Sequence, residues 1–126
     1  MSNVTSPDGT PPSALSFGAM QFGGTADEDA SRAMFRACRE RGINMFDTAH
    51  VYTDGRSEEI LGKLAAVERE KIILASKVNM RRGNSATSIR ESCDESRTRL
   101  GVDTIDLYYL HRFDPETDLE ETFEAL

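Results

Sequence analysis

Hydrophobic and polar positions along this chain alternate between two periods, which predicts strands followed by helices. Four apolar runs have the length and composition of buried strands: "ALSFGAMQFG" (14–23), "INMF" (43–46), "KIILAS" (71–76) and "TIDLYYL" (104–110). Apolar residues at helical spacing follow each of the first three runs, and turn residues separate the segments. The pattern therefore predicts strand-then-helix units that recur about every 30 residues.

The first predicted helix has a start signal, an apolar stripe and a stop signal. Thr25 followed by Glu28 is a capping box, and Gly42 is placed where helices end in a left-handed residue. Small and apolar side chains at helical spacing predict the face that packs on the sheet. They are Ala30, Ala33, Met34, Ala37 and Cys38.

The later helices are predicted from the same kinds of signal. Ser57 caps a short helix that carries Ile60, Leu61 and Leu64. Ala86, Ile89, Cys93 and Leu100 mark one face of a third helix, which ends at Gly101. Thr117 with Glu120, or Asp118 with Glu121, begins a last helix close to residue 126.

Alternating strands and helices indicate an α/β fold, because helices must connect successive parallel strands. Two architectures fit this order of elements. One is an open doubly wound sheet, which 126 residues could complete. The other is the first half of an eight-unit barrel, a fold that typically needs about 250 residues. Length favours the open sheet, whereas the candidate chemistry favours the barrel.

Composition and charge bound the domain and its partners. Residues 1–13 are rich in Pro, Gly and Ser and are predicted to form a flexible arm that packs poorly, before a domain over 14–126. The net charge of -7 argues against nucleic acid and anionic lipid as partners. No apolar run is long enough to cross a membrane and no secretion signal is present in the sequence, so we expect a cytoplasmic protein. Cys38 and Cys93 are expected to be reduced thiols, and no metal site is predicted.

Polar residues follow three consecutive predicted strands at the position where each strand ends. Asp47 follows the second strand, Lys77 follows the third and His111 follows the fourth, while Tyr52 lies in the loop after the second. Ligands in parallel α/β folds bind beyond the carboxyl ends of the strands, so these four side chains are expected to converge. Each also has an ordinary structural interpretation, as a cap, a solvated lysine, a hydrogen-bonded histidine or a half-buried tyrosine.

An acid, a phenol, an amine and an imidazole together suit the protonation of a developing alkoxide. A phenol is protonated at neutral pH, and an ammonium group nearby makes its proton easier to donate. Lys77 would supply that charge, Asp47 would hold the ammonium, and His111 would donate a hydrogen bond to a carbonyl oxygen. Because no side chain provides hydride, this chemistry requires a nicotinamide or flavin cofactor.

The motifs "FDTAHVYTDGRSEEILG", "ILASKV" and "DLYYLHR" resemble the consecutive signatures of the aldo-keto reductases. The likeness runs from about residue 14 to the end, and "VYTDGRSEEILG", "SKVN" and "DLYYLHRFDP" are similar to the branch that includes the aflatoxin-aldehyde reductases. The resemblance implies a (β/α)8 TIM barrel that binds NADP(H) and reduces the carbonyl group of a small aldehyde or ketone. It implies that Tyr52 is the general acid, tuned by Lys77 and Asp47, and that His111 orients the substrate. Met20 and Asp47 would lie near the nicotinamide ribose.

The resemblance also implies that this chain holds the first four strand–helix units of a truncated barrel. Most adenine and phosphate contacts of the family lie in the second half, so the activity of the isolated chain is open. Open barrel edges are expected to favour self-association. The alternatives are a nicotinamide-binding regulatory or assembly protein of the same fold and a complete flavodoxin-like domain.

Several further residues near the motifs are not assigned to the chemistry. His50 is expected to lie at the surface or behind the catalytic groups, and Arg81 with Arg82 in a solvated loop. Tyr108 and Tyr109 alternate on a strand, so one should point into the barrel and the other toward the helices.

Overall fold

A computed structural model of the protein describes residues 4–126. Strands and helices alternate throughout, as the periodicity predicts. In chain order they are β1 (Ser16–Gly18), α1 (Glu28–Glu40), β2 (Met45–Asp47), α2 (Arg56–Ala65), β3 (Ile73–Lys77), α3 (Ala86–Leu100), β4 (Leu107–Tyr109) and α4 (Leu119–Ala125). Short 3₁₀ segments cover Tyr52–Gly55 before α2 and Ala66–Lys71 after it.

The four strands form one parallel sheet in the order β1-β2-β3-β4. Each strand therefore pairs with the next strand along the chain, whereas a doubly wound sheet reverses its strand order at one point. Consecutive parallel neighbours are the arrangement of a (β/α)8 barrel. The sheet order thus confirms the barrel-like architecture and rules out the flavodoxin-like order for the described strands.

The two faces of the sheet carry different side chains because alternate strand residues point to opposite sides. Phe46 on β2 and Leu74 on β3 belong to the buried core shared with the helices. The ring of Phe46 stacks on Phe35 of α1, with centroids 4.6 Å apart. The opposite face carries Asp47 and Lys77, each the last residue of its strand. The core therefore lies between sheet and helices, and the ionisable groups lie at the carboxyl edge of the other face.

Helix α1 begins two residues later than a Thr25 cap requires, so that prediction is wrong. Asp27 is the N-cap, and its carboxylate accepts a hydrogen bond from the backbone N–H of Ala30. The Thr25 hydroxyl donates to Gln21 instead. Gly42 follows the helix with a φ of +78°, as its position predicts.

The buried face of α1 also differs from the predicted stripe of alanines. Ser31, Phe35 and Cys38 are the buried residues of the helix. Of the predicted stripe only Cys38 is fully buried, and Ala30 and Ala33 are exposed. The aromatic ring of Phe35 decides the orientation, since it buries far more apolar surface than an alanine.

Helices α2 and α3 approach each other closely at Gly62. A β-carbon at this position would lie 2.2 Å from the backbone oxygen of Leu100. Gly55, not Ser57, is the N-cap of α2, so the cap prediction for that helix is wrong. Ser57 is instead fully buried and donates from its hydroxyl to the backbone oxygen of Ala19.

The end of α3 and the start of α4 follow their sequence signals. Ser85 caps α3 through the N–H of Ser88, and Gly101 ends it with a φ of +68°. Asp118 caps α4 through the N–H of Glu120, which selects the second of the two predicted starts.

Part of the predicted flexible arm is attached to the rest of the chain. Asn44, which precedes β2, accepts a hydrogen bond from the N–H of Ser13 and donates to the backbone oxygen of Pro11. The N–H of Asp8 donates to the oxygen of Glu70. These bonds differ from the expectation of a poorly packed segment, while the division into 1–13 and 14–126 stays a prediction. Residues 1–3 of the predicted arm lie outside the described residues.

Among the helices of residues 4–126, none has both the length and the apolar character that crossing a membrane requires.

Candidate active site

The four predicted site residues come together at the carboxyl edge of the sheet. Asp47 ends β2 and Lys77 ends β3, and neighbouring strand ends bring the two side chains together. Tyr52 begins the 3₁₀ segment after β2, and His111 lies two residues beyond the end of β4. Their convergence is a direct consequence of parallel strands ending at the same edge.

Lys77 is the centre of this cluster. Its ammonium donates to Oδ2 of Asp47 over 2.6 Å and to the backbone oxygen of Thr48 over 2.7 Å. The lysine is buried, with 8% of its surface exposed. An ion pair and a carbonyl acceptor together offset the cost of holding an ammonium group away from water. Lys77 is therefore fixed as a positive charge at the carboxyl edge of the sheet.

Tyr52 lies against both Lys77 and His111. The Lys77 ammonium is 5.0 Å from the centre of the Tyr52 ring, within the range of a cation–π contact. The Tyr52 and His111 rings meet edge to face at 90°, with centroids 5.4 Å apart. A phenol, a cation and an imidazole thus border one small region.

His111 is held in its neutral form. Burial is the largest cause that lowers the pKa of His111, and the positive charge of Lys77 lowers it further, while Asp47 acts in the opposite direction. Its Nδ1 atom is buried and has no hydrogen-bond partner among residues 4–126. A neutral imidazole keeps one ring N–H as a donor, which suits a polar group of a substrate.

The loop that carries Tyr52 is tied down by buried hydroxyl groups. The hydroxyls of Thr48 and Ser57 lie 2.7 Å apart. Thr53 donates to the backbone oxygen of Phe22 over 2.7 Å and accepts from the N–H of Ser57, which satisfies one free N–H at the start of α2.

The backbone directly after Tyr52 is strained. Thr53 and Asp54 have φ values of +48° and +53°, a region that residues with side chains rarely adopt. Such strain persists only where the surrounding contacts over-determine the conformation, and it is concentrated at functional sites. The hydroxyl contacts of Thr53 therefore hold the Tyr52 loop in a conformation it would not adopt alone.

A charged network supports the same loop from the helix side of the sheet. Glu58 of α2 is fully buried and accepts from the Ser76 hydroxyl over 2.6 Å and from Arg99 Nη1 over 3.2 Å. Arg99 also donates to the backbone oxygen of His50, three residues after Asp47. Helices α2 and α3 are thereby linked to the backbone between two candidate site residues.

His50 belongs to this supporting network and is not at the surface. It is 4% exposed, and its Nε2 atom lies 2.5 Å from Oε2 of Glu95 on α3. Arg82 also pairs with Glu95 over 2.8 Å, while the exposed Arg81 lies 3.8 Å from Asp54. Of the two expected places for His50, the surface is therefore wrong and the place behind the catalytic groups is confirmed, because its side chain points toward the helices.

Tyr109 is a further member of the cluster, although its sequence position alone did not assign it there. Its hydroxyl donates to Oδ1 of Asp47, and the Lys77 ammonium is 5.1 Å from the centre of its ring. Tyr108 points the other way, and burial among the helices raises its pKa. Period-two alternation could have identified Tyr109, since it lies two residues before His111 and therefore on the same face of the strand.

Met20 lies in the turn after β1, at the same edge of the sheet, and 49% of its surface is exposed. The N–H of the preceding residue, Ala19, donates to the backbone oxygen of Asp47 over 2.8 Å. The backbone next to Met20 is therefore joined to the end of β2, and a role for Met20 in cofactor binding stays a prediction.

Comparisons with known proteins identify relatives of this arrangement. Residues 14–126 match the sequence profile described as the "Aldo/keto reductase family". The "Aflatoxin B1 aldehyde reductase member 4" of Homo sapiens is 39% identical over 117 residues, which cover 89% of this chain and 35% of the relative. The "Probable voltage-gated potassium channel subunit beta" of Arabidopsis thaliana is 36% identical over 124 residues, covering 90% and 38% of the two chains.

A solved structure shows the same fold. The aldo-keto reductase from Klebsiella pneumoniae in complex with NADPH superposes with a TM-score of 0.83 and 30% identity, covering 99% of this chain and 44% of that one. Structural relatives of this kind are (β/α)8 barrels, so the four units described here correspond to part of such a barrel. The chain spans less than half the length of the relatives it matches.

Proposed function

This chain belongs to the aldo/keto reductase family, and we propose that it carries the catalytic constellation of an NADP(H)-dependent reductase of aldehydes or ketones. The observation that supports this proposal most strongly is the cluster itself. Asp47, Tyr52, Lys77 and His111 come from three different strand ends and border one region. In any fold, a phenol beside a fixed ammonium group and a neutral imidazole suits the delivery of a proton to a carbonyl oxygen.

The cluster contains proton donors but no source of hydride, and a nicotinamide cofactor fits that chemistry. When bound, the reduced nicotinamide supplies the hydride for the carbonyl carbon. We propose that Met20 and Asp47 lie beside its ribose, because both are at the carboxyl edge of the sheet. The similarity to the Klebsiella reductase, which was solved in complex with NADPH, supports this cofactor for the present chain.

Each residue of the cluster has a proposed part in carbonyl reduction. His111 donates its ring N–H to the carbonyl oxygen and so orients and polarises the bond. Tyr52 gives its phenolic proton to the same oxygen as the new C–H bond forms, which yields an alcohol and leaves a phenolate. The positive charge of Lys77, held by Asp47 at 2.6 Å, stabilises that phenolate until a proton from solvent restores it.

A second candidate function is suggested by the potassium-channel relative. A regulatory protein of this fold would bind the nicotinamide cofactor for sensing or assembly and would not turn over a substrate. The 36% identity to a protein named as a probable channel β subunit favours this alternative. The complete set of four side chains favours the enzyme.

Turnover distinguishes the two candidates. We would measure NADPH oxidation with small aldehydes, by this chain and by a barrel-length chimera in which residues 14–126 replace the matching part of the Klebsiella reductase. A reductase should lose about 100- to 10,000-fold in turnover when Tyr52→Phe removes the general acid. Tyr108→Phe is the matched control, since that phenol faces the helices. Unchanged turnover in Tyr52→Phe would contradict the role of this phenol.

Cofactor binding by the chain itself needs a separate measurement. Titration of NADPH against the chain, followed by cofactor fluorescence, reports whether this chain binds the nicotinamide end of the cofactor without the rest of a barrel. We expect weak but saturable binding that Asp47→Asn reduces. If both the chain and the chimera bind NADPH but neither turns over an aldehyde, the regulatory candidate is favoured. No binding at millimolar NADPH would contradict a nicotinamide site in this chain.

We also propose that the chain associates with itself through its sheet edges. Within the described residues, β1 and β4 each pair with a neighbour on one side only. Unpaired strand edges offer free N–H and C=O groups to another copy. Light scattering should therefore give a mass above that of one chain, and a concentration-independent monomer would contradict this proposal.

The cytoplasmic location of the protein stays a prediction.

A further inference from the structure

Two phenols flank the Lys77 ammonium at nearly equal distances. The centre of the Tyr52 ring is 5.0 Å from Nζ, and that of the Tyr109 ring is 5.1 Å away. Both side chains point to the same edge of the sheet, but only one phenol can be the proton donor of the proposed reaction. Their hydrogen bonds distinguish them.

The hydroxyl of Tyr109 is already committed to Asp47, because it donates to Oδ1 of the carboxylate. Burial first, and then Asp47 through its hydrogen bond and charge, raise the pKa of Tyr109. The Tyr52 hydroxyl makes no hydrogen bond with any of residues 4–126, although its ring contacts both Lys77 and His111. Tyr52 is thus available to a substrate and Tyr109 is not.

The two oxygens of Asp47 therefore have different partners. Oδ2 accepts from Lys77 over 2.6 Å, and Oδ1 accepts from Tyr109. A carboxylate bound at one oxygen can rotate about its side-chain torsion, whereas one bound at both oxygens by groups on different strands cannot. Tyr109 ends β4 and lies opposite Lys77 in the strand register, so the sheet itself sets the position of this hydroxyl.

We propose that Tyr109 is a positioning residue for this site. Its hydroxyl holds the Asp47 carboxylate in the orientation that meets Lys77, and its ring forms a second aromatic wall beside the ammonium. The O–H dipole also offsets part of the carboxylate charge, so that Asp47 neutralises Lys77 less completely. More of the positive charge then acts on Tyr52. This inference rests on the proposed function for its kinetic consequences, but not for its effect on phenol ionisation.

The ionisable groups around Tyr52 and Tyr109 come from every neighbouring strand end. Asp47 follows β2, Lys77 ends β3, and the imidazole of His111 lies beyond β4. At the rim, Asp54 and Arg81 lie 3.8 Å apart, are both exposed, and largely offset each other. The loss of the Tyr109 hydroxyl therefore acts mainly through Asp47 and Lys77.

The first test follows phenol ionisation in the chain as it is. Tyrosinate absorbance gives a simple signal here, because the sequence has three tyrosines and no tryptophan. We expect Tyr109→Phe to move the first step of this titration to higher pH by about half a unit or more, since the unshielded Asp47 charge opposes a second anion nearby. Tyr108→Phe is the matched control on the same strand and should leave that first step in place. Circular dichroism over the same pH range reports whether each variant stays folded.

A double-mutant cycle tests whether Tyr109 acts through Asp47. In an Asp47→Asn background, Tyr109→Phe should cause no further shift of the first ionisation step. An equal shift in both backgrounds would contradict the proposed route through the carboxylate. An unmoved first step in folded Tyr109→Phe alone would overturn the inference altogether.

Kinetics provide an independent test, either in this chain or in the barrel-length chimera, whichever of the two turns over the aldehyde. Tyr109→Phe should lower kcat about tenfold, leave the KM for the aldehyde nearly unchanged and move the alkaline limb of the pH profile upward. Tyr109→Leu should lower kcat further, because it also removes the aromatic wall beside Lys77. Kinetics of both variants equal to those of Tyr108→Phe would contradict the positioning role. Absence of turnover in the unmutated protein contradicts the proposed function instead, and the titration then decides the role of Tyr109.

Discussion

The ammonium group of Lys77 lies 2.6 Å from the carboxylate of Asp47, and this ion pair joins the ends of two neighbouring strands. Around it lie the Tyr52 and Tyr109 rings, with the His111 ring against Tyr52. The pair thus places a fixed positive charge at the centre of the candidate site. Its influence on neighbouring groups can be measured without any assumption about the reaction.

Replacement of Lys77 by methionine should raise the pKa of His111. The lysine charge is, after burial, one of the causes that lower this pKa, and its removal leaves the raising effect of Asp47 opposed by burial alone. Proton NMR can follow the titration directly, because the chain has only two histidines. His50 is the internal reference, since its ring pairs with Glu95 on the other side of the sheet. An unchanged or lower pKa of His111 would show that Lys77 does not act on it.

Replacement of Arg99 by methionine should destabilise the fold by about 3 to 5 kcal/mol. The substitution leaves the fully buried carboxylate of Glu58 without its cationic partner, which is far more costly than the net contribution of the pair. Urea denaturation measures the free energy of unfolding. The double variant Arg99→Met with Glu58→Gln removes the unpaired charge and should recover part of the loss. A single variant as stable as the unmutated chain would contradict this account.

Replacement of Gly62 by alanine should cost about 1 to 3 kcal/mol of folding free energy, because helices α2 and α3 must move apart. A β-carbon at Gly62 would lie 2.2 Å from the backbone oxygen of Leu100, whereas one at Gly18 would meet no atom within 4 Å. Gly18→Ala is therefore the matched control. Thermal unfolding of the two variants compares them, and equal midpoints would show that the close approach does not matter.

Acid should weaken the fold less when Glu95 is replaced by glutamine. Arg82 first and then His50 hold the pKa of Glu95 down to about 2 from its ordinary value of 4.5. A lowered carboxylate pKa contributes stability above the ordinary value, and this contribution is lost as pH falls from 4.5 toward about 2.

Unfolding free energies at several pH values across that window test this expectation. The Glu95→Gln variant should show a flatter acid dependence than the unmutated chain. Glu91→Gln on the same helix is the control, because Glu91 forms no salt bridge with any of residues 4–126 and is exposed. Parallel curves for the unmutated chain and Glu95→Gln would contradict the assigned ion pairs.

Local sequence signals predicted the order of elements and several helix ends. The left-handed glycines Gly42 and Gly101 and the cap Asp118 follow such signals, because they depend on residues close in sequence. The predicted starts of α1 and α2 are wrong for an equally local reason, since other side chains nearby accept hydrogen bonds from free N–H groups at these helix starts. Asp27 accepts a hydrogen bond from the N–H of Ala30 in α1, and Thr53 accepts one from the N–H of Ser57 in α2.

The candidate chemistry could be predicted from the order of residues alone, because an acid, a phenol, an amine and an imidazole follow the ends of apolar runs. The motifs implied a barrel, but the periodic pattern fits a doubly wound sheet equally well, and the strand order that separates the two depends on which strands pair across long separations. The tertiary structure also decided that Tyr109 binds Asp47 and that His50 turns toward Glu95. Periodicity gives the face of a strand, but the partner across that face is set by the packing of distant segments.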